Sequence, residues 1–163
     1  MSKKTSDYLL CRAKSTETNE WIFGSPLCIG RKRYVITIPP NKKSQKILDN
    51  LAAYATEVKP KTIGRYVGTD DTNSNPIFEG DILCEKVEYN RVVVKGDVLE
   101  CYHVIKWAEN YNSFVAFPIE NGRMFGKQHL LLDNFQLIKQ NSYYVVGNIY
   151  DNDLSDYICR CKE

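Results

Sequence analysis

Four carboxylates lie close together in the middle of the chain, at Asp70, Asp71, Glu79 and Asp81. Clustered carboxylates can hold Mg²⁺ or work as a general acid and base, so a metal-assisted enzyme that uses this cluster is one hypothesis. The Gly, Asn and Pro residues around the two pairs also indicate an ordinary connecting turn, in which Asp is common. We favour the turn, and we expect Gly80 with Asp81 to form a sharp bend at the entry of a strand.

The two histidines, His103 and His129, are the residues to test for nucleophilic catalysis, which needs a Ser or Cys beside a His. Alternation within residues 98–107 puts His103 on one face with Ile105 and Trp107, which is typical of a half-buried histidine in a core. The sequence contains no G-x-S-x-G elbow and no Gly-rich phosphate loop. We therefore predict a protein that is not an enzyme and uses no cofactor.

Six cysteines occur in a chain whose N-terminus lacks the apolar core of a secretory signal, which predicts reduced thiols and a cytoplasmic protein. Zinc sites need clustered Cys or His ligands, and the one close cysteine pair here is Cys159 with Cys161. This pair is the best candidate for a redox or metal role, but a single intervening residue does not match zinc spacing. We predict no bound metal. The cysteines occupy positions 11, 28, 84, 101, 159 and 161.

Basic residues concentrate in the first part of the chain. Residues 1–63 carry 12 Lys and Arg against 5 Asp and Glu, whereas residues 64–163 carry 10 against 15. Such a division can attract an anionic partner or support contact between subunits, but for the charge pattern taken alone we favour two solvated faces without a common role. The overall net charge of +2 is small for a dedicated nucleic-acid binder, so nucleic acid ranks second as a partner. The candidate nucleic-acid contacts are Arg31, Lys32, Arg33, Lys42, Lys43 and Lys46.

The elements that must position these residues are mostly strands. Short segments rich in β-branched and aromatic residues alternate with Gly, Asn and Asp turns, which predicts a mostly β fold, either a barrel or a sandwich. Between Ser44 and Thr56 the apolar residues instead recur at helical spacing, which predicts one inserted helix. The predicted strands are 8–14, 21–29, 34–38, 62–67, 82–88, 91–94, 98–107, 113–117, 135–139 and 143–150.

Three groups of residues, taken in order, carry a family resemblance. The central group is Ile63–Gly68, Asp71-x-Asn73 and Ile77–Leu83; before it stand Arg12-Ala13 and Trp21-x-x-Gly24, and after it Val104-x-x-Trp107, Phe114 and Val145–Asn152. This pattern, from about Leu9 to about Leu154, resembles the YopX family of phage and prophage proteins. The family usually has Asn-Gly in the central turn, where Asn73-Ser74-Asn75-Pro76 stands here.

The resemblance implies an SH3-like small β-barrel, which here would follow an N-terminal β-hairpin region. It also implies a phage or prophage protein that works in the bacterial cytoplasm, and it carries no biochemical activity with it. The shared residues look like strand, turn and core positions. They include Trp21, Gly24, Gly64, Gly68, Glu79, Gly80, Asp81, Trp107, Gly147 and Asn148.

We divide the chain into N-terminal hairpins with the helix (1–61), a β-barrel domain (62–154) and a C-terminal tail (155–163). No apolar run is long enough to span a bilayer, so we expect no membrane partner. The expected function is that of a non-enzymatic binding or assembly module that contacts another protein or a second copy of itself. Nucleic-acid binding by the basic N-terminal part and metal-assisted catalysis by the acidic cluster remain the alternatives.

Overall fold

The structure is a computed structural model that describes residues 11–37, 50–88, 98–124, 130–131, 142–158 and 160–162. It divides the chain into two compact units, Met1–Tyr66 and Val67–Glu163. Antiparallel strands dominate the described residues, joined by short 3-10 turns, so the predicted mostly β class is confirmed. Within those residues, no helix has both the length and the apolar character needed to cross a membrane.

The first unit is an antiparallel sheet in the order β4-β3-β2-β1. Its strands are β1 (Cys11–Lys14), β2 (Trp21–Ile29), β3 (Lys32–Ile36) and β4 (Ala55–Glu57), and β1 also pairs with the start of β5 (Gly64–Asp70).

Alternation along β1 gives this sheet its core. Cys11 and Ala13 point to one face, where they pack with Val35 and Val58, while Ile22 and Ile63 pack around them. Arg12 and Lys14, on the opposite face of the same strand, are also largely buried.

The second unit contains the longer strands. They are β6 (Pro76–Phe78), β7 (Asp81–Glu88), β8 (Val98–Ala108), β9 (Ser113–Glu120), β10 (Arg123–Met124), β11 (Leu130–Leu131), β12 (Ser142–Asn148) and β13 (Arg160–Lys162). The main sheet has the order β10-β9-β8-β7-β12, with β11 beside β9 and β13 beside β8.

Both faces of this second sheet are covered. One face carries a core built on Leu83, Ile105 and Tyr143. On the other face, Ile82 and Val104 form a second cluster, against which the segment after β12 packs. The partly buried members from that segment are Ile149, Leu154 and Tyr157.

The inserted helix predicted over 44–56 is wrong in its described part. Leu51–Tyr54 forms one 3-10 turn, and the chain then enters β4. The backbone of β4 pairs with β3, with Glu57 opposite Tyr34, so strand pairing overrides the local helical spacing. The first part of the predicted helix lies outside the described residues, as do the strands predicted at 91–94 and 135–139.

The expected SH3-like barrel is not confirmed, because the described strands form open antiparallel sheets that do not close. In the first unit a single bridge joins Ser15 to Val58, without a continuous ladder. In the second unit, β12 pairs with β7 on one side, while the backbone amide of Thr72 and the carboxylate of Asp71 bond to β12 from a turn. Within the described residues, β12 therefore bonds to a strand on one side and to the Asp71–Thr72 turn as well, where a closed barrel would have a second strand.

Candidate functional site

Several of the shared residues in the second unit meet around the turn between β6 and β7. The backbone N–H of Gly80 donates to the carbonyl of Ile105 at 2.7 Å, and its carbonyl accepts from the N–H of Ile149 at 2.9 Å. Gly80 has φ +90, and a Cβ there would lie 3.0 Å from the ring of Tyr150. The turn is thereby joined to β8 and to the segment after β12, and only glycine fits it without strain.

Two acidic residues flank this glycine and bond to backbone amides. Asp81 is fully buried, and its Oδ2 accepts from the N–H of Phe78 at 2.8 Å. The Oε1 of Glu79 accepts from the N–H of Trp107 at 3.2 Å, and the Trp107 ring packs edge-on against Phe114. Carboxylates bonded to backbone donors in this way hold a turn in position.

The end of β12 completes the cluster. Its ladder with β7 shifts register between Val145 and Gly147, as at a β-bulge. Asn148 then forms an Asx turn, in which its Oδ1 accepts from the N–H groups of Tyr150 and Asp151 at 2.9 and 3.1 Å. The Oδ1 of Asn152 accepts from the N–H of Asn148 at 3.0 Å. We use the name signature cluster for Glu79, Gly80, Asp81, Trp107, Gly147 and Asn148.

Asp71 has a different set of partners. Its Oδ1 accepts from the backbone N–H groups of Asn73 and Asn75, both at 2.8 Å. Its Oδ2 accepts from the Asn75 side chain at 3.1 Å and from the N–H of Val145 on β12 at 2.9 Å. Beside it, the hydroxyl of Thr72 donates to the carbonyl of Tyr143 at 2.7 Å. Asp71 thus fixes its own turn and attaches that turn to β12.

The four carboxylates predicted as a cluster therefore have separate roles in the second unit. Asp71 bonds to β12, whereas Glu79 and Asp81 bond to β8 and to the end of β6, and Asp70 ends β5. In the part of the chain that the structure describes, no group of three or more His, Cys, Asp or Glu is arranged to hold a metal ion.

The predicted histidine lies inside the second core. His103 is buried on β8, opposite Leu83 and Pro118, and its ring meets the ring of Tyr143 with centroids 6.3 Å apart. His103 is thus more deeply buried than the half-buried position predicted for it. His129 lies outside the described residues.

In the first unit, the shared Trp21 takes part in a contact that sequence reasoning missed. The guanidinium carbon of Arg12 lies 4.5 Å from the centre of the Trp21 ring, and Nζ of Lys14 lies 5.3 Å from it. Cations over an indole face are attracted by its electron density. The sequence pattern that points to this contact is the alternation along β1, which puts Arg12 and Lys14 on one face. The register that pairs Lys14 with Trp21 comes from the structure.

Two other shared glycines, Gly24 and Gly68, occupy positions where a side chain would introduce strain. A Cβ on Gly24 would overlap the carbonyl oxygen of Ile36, and Gly64 pairs with Arg12 at the edge of β1. Gly68, on β5, has φ +93, which disfavours any other residue.

The basic residues of the predicted nucleic-acid site are partly engaged within the fold. Nζ of Lys32 lies 2.7 Å from Oε2 of Glu57, and this hydrogen bond with its ion pair raises the pKa of Lys32. Nη1 of Arg33 donates to the carbonyls of Gly30 and Lys32 at 3.3 and 3.2 Å. Arg31 is exposed in the turn between β2 and β3. The remaining candidates, Lys42, Lys43 and Lys46, lie outside the described residues.

The described cysteines include both core and surface positions. Cys11 and Cys84 are buried, Cys101 is partly buried and Cys28 is exposed, and all four are free thiols. Burial raises the pKa of the Cys11 thiol to about 11. Cys159 and the side chain of Cys161 lie outside the described residues.

A family model described as YopX protein matches residues 11–154, which is most of the chain and reaches into both units. No curated protein matches the chain.

Proposed function

We propose that this chain, which belongs to the YopX family, is a non-enzymatic binding module that associates with a second copy of itself. In the same proposal, it is encoded by a phage or prophage and works in the cytoplasm of the bacterial host. The signature cluster supports a module without catalysis, because its carboxylates and its asparagine bond to backbone amides of neighbouring strands and turns.

The division of charge between the two units is the observation that carries self-association. Residues 1–66 contain 13 Lys and Arg against 5 Asp and Glu, a net charge of +8, and residues 67–163 contain 9 against 15, a net charge of −6. Surfaces of opposite sign attract at distances up to the Debye length and select a partner by complementarity. A second copy of the chain offers an acidic unit to the basic unit and a basic unit to the acidic unit.

The test is the molar mass of the full chain as a function of protein concentration and salt. We expect the weight-average mass from sedimentation equilibrium to rise with protein concentration at about 50 mM salt and to fall toward that of a monomer at about 500 mM, where the Debye length is shorter. A monomer at every concentration in low salt would refute the proposal. An association that strengthens with salt would also refute it, because it would point to apolar burial.

Nucleic-acid binding is the second candidate, and the exposed Arg31 with the surface pair of Lys32 and Glu57 favours it. Both side chains of this ion pair are exposed to solvent, so Lys32 can exchange Glu57 for a phosphate at little cost. Titration of labelled single- and double-stranded DNA and RNA at two salt concentrations decides the question. Binding that weakens steeply with salt supports it, and no binding at micromolar protein excludes it.

A further inference from the structure

Two surfaces of the chain, one in each unit, carry the same kind of apolar residue and opposite charges. Ile29 and Ile158 are 59% and 54% exposed, more than any other large hydrophobic side chain among the described residues. Isolated exposed isoleucines are ordinary on a protein surface. Here three cations, Arg31–Arg33, follow Ile29, whereas three exposed carboxylates precede Ile158 in its loop, and Arg160 and Lys162 follow Ile158 on β13.

The basic surface is the tip of the hairpin formed by β2 and β3. Ile29 pairs directly with Lys32, and Gly30 with Arg31 makes the two-residue turn between them. Gly30 has φ +57, the conformation that a turn with Gly in the first central position requires. The bonds from Arg33 to carbonyls of the turn hold the tip in one shape.

The acidic surface is the loop after β12. Asp151, Asp153 and Asp156 are exposed on it, and Ile158 follows. The loop has its own internal bonds. Oδ1 of Asp153 accepts from the N–H of Ser155 at 2.9 Å, which lowers the pKa of that carboxyl.

Neighbouring residues also hold the acidic loop in place. Oδ2 of Asp151 accepts from the Asn148 side chain at 3.0 Å, and a Cβ on Gly122 would lie 3.1 Å from Cα of Ser155. Both surfaces are therefore ordered before they meet a partner, which reduces the entropy lost on binding.

We infer that the hairpin tip of one copy docks on the acidic loop of a second copy, with Ile29 against Ile158 and the Arg31–Arg33 cations beside the loop carboxylates. This inference rests on the proposed function and names the surface that self-association uses. An apolar contact surrounded by paired charges is the usual composition of a protein interface. The complementary charges of the two surfaces identify the second copy as the occupant.

The test reverses one charge on each surface by Arg31→Glu and Asp156→Arg. Each variant alone should weaken self-association at low salt by about tenfold, because it introduces one repelling charge and lowers the net charge of its surface from three to one. Mixing the two variants should restore association, since a reversed tip then meets a reversed loop and a native tip meets a native loop. Ile29→Thr should weaken association by about fivefold at any salt, because it removes apolar contact.

Lys61→Glu is the matched control, because Lys61 is an exposed cation of the same unit and belongs to the 3-10 turn Pro60–Thr62, outside the hairpin. It changes the net charge as Arg31→Glu does, and it should weaken association by no more than about twofold. Circular dichroism verifies that every variant is folded.

The outcomes separate this inference from the proposed function. If the native chain is a monomer at low salt, the proposed function fails and the inference fails with it. If the native chain associates, but Arg31→Glu weakens it no more than Lys61→Glu does, self-association stands and this docking surface is refuted. If both reversals weaken association and their mixture does not restore it, the pairing of tip with loop is refuted.

Discussion

Replacing Asp71 by Ala tests whether one carboxylate attaches the turn after β5 to the edge of β12. Asp71 is 6% exposed and accepts hydrogen bonds from Asn73, from Asn75 and from the backbone N–H of Val145. The substitution removes every one of these acceptors and leaves the donors in place. We expect the second unit to lose stability and the edge of β12 to open.

The loss of stability expected for Asp71→Ala depends on whether water can reach the donors that no longer bond to the carboxylate. Asn73 and Asn75 lie in an exposed turn, so their donors regain water, and we assign about 0.5 kcal/mol to each of those three bonds. The N–H of Val145 is partly buried, and a hydrogen bond from such a group to a charged acceptor contributes about 1.5–3 kcal/mol. The expected cost of Asp71→Ala is therefore about 3–4.5 kcal/mol.

The assay is urea unfolding followed by tryptophan fluorescence, arranged so that it reports one unit. Trp21 lies in the first unit and Trp107 in the second. In a Trp21→Phe background, the one remaining tryptophan lies in the second unit, so its transition reports that unit. A cost of this size moves the urea midpoint by about 1–4.5 M when the slope is about 1–3 kcal/mol per M.

Two further variants serve as comparisons for Asp71→Ala. Asp71→Asn keeps the shape but turns an amide N–H₂ toward a donor, so it should cost about 2–4 kcal/mol. Asn73→Ala keeps the backbone N–H that bonds to Asp71, and it should cost no more than about 0.5 kcal/mol. If Asp71→Ala costs less than about 1 kcal/mol, or no more than Asn73→Ala, the carboxylate does not hold the turn to β12.

Further substitutions test other parts of the structure. Ser74→Gly should stabilise the second unit by about 0.5–1 kcal/mol, because Ser74 has φ +66, a left-handed conformation that glycine adopts freely; a lower urea midpoint would contradict this. Gly147→Ala should cost about 2–4 kcal/mol in the same assay, because its Cβ would overlap the hydroxyl of Tyr157. Adding Tyr157→Phe should restore part of the lost stability. If Gly147→Ala leaves the stability unchanged, the end of β12 can adapt to a side chain. Alkylation of the native chain should modify exposed Cys28 well before buried Cys11, and equal rates would contradict the burial of Cys11. Because burial raises the pKa of the Cys11 thiol from 9.0 to about 11, the unfolded chain loses this proton first, and the stability of the first unit should fall between pH 9 and pH 11, an effect that Cys11→Ala removes.

Local sequence patterns predicted three of the longer strands almost to the residue. The predicted strand 21–29 coincides with β2, and the predicted strands 82–88 and 98–107 differ from β7 and β8 by one residue at one end. These strands alternate or are continuously apolar, and both patterns are informative over eight residues or more. The helix predicted up to Thr56 failed because β4 is three residues long and its pairing with β3 is invisible to local periodicity.

The contacts of the acidic residues depended on positions far along the chain. Asp71 was readable as a turn residue, and its bonds to Asn73 and Asn75 are local. Its bond to Val145 spans 74 residues, and no spacing rule predicts it. Ser74 stands where the resemblance implies a glycine, and it takes a positive φ that glycine would adopt without strain.

The division of charge has different consequences for folding and for the self-association that we propose. Like charges on one unit repel each other and contribute little to its fold, whereas the same charges attract an oppositely charged surface from a distance. Added salt screens both effects. Salt should therefore stabilise each unit slightly while it weakens contact between copies, and a chain whose charges served only solubility would lack the second effect. If added salt stabilises folding but weakens association, the +8 and −6 charges of the two units act in binding, as we propose.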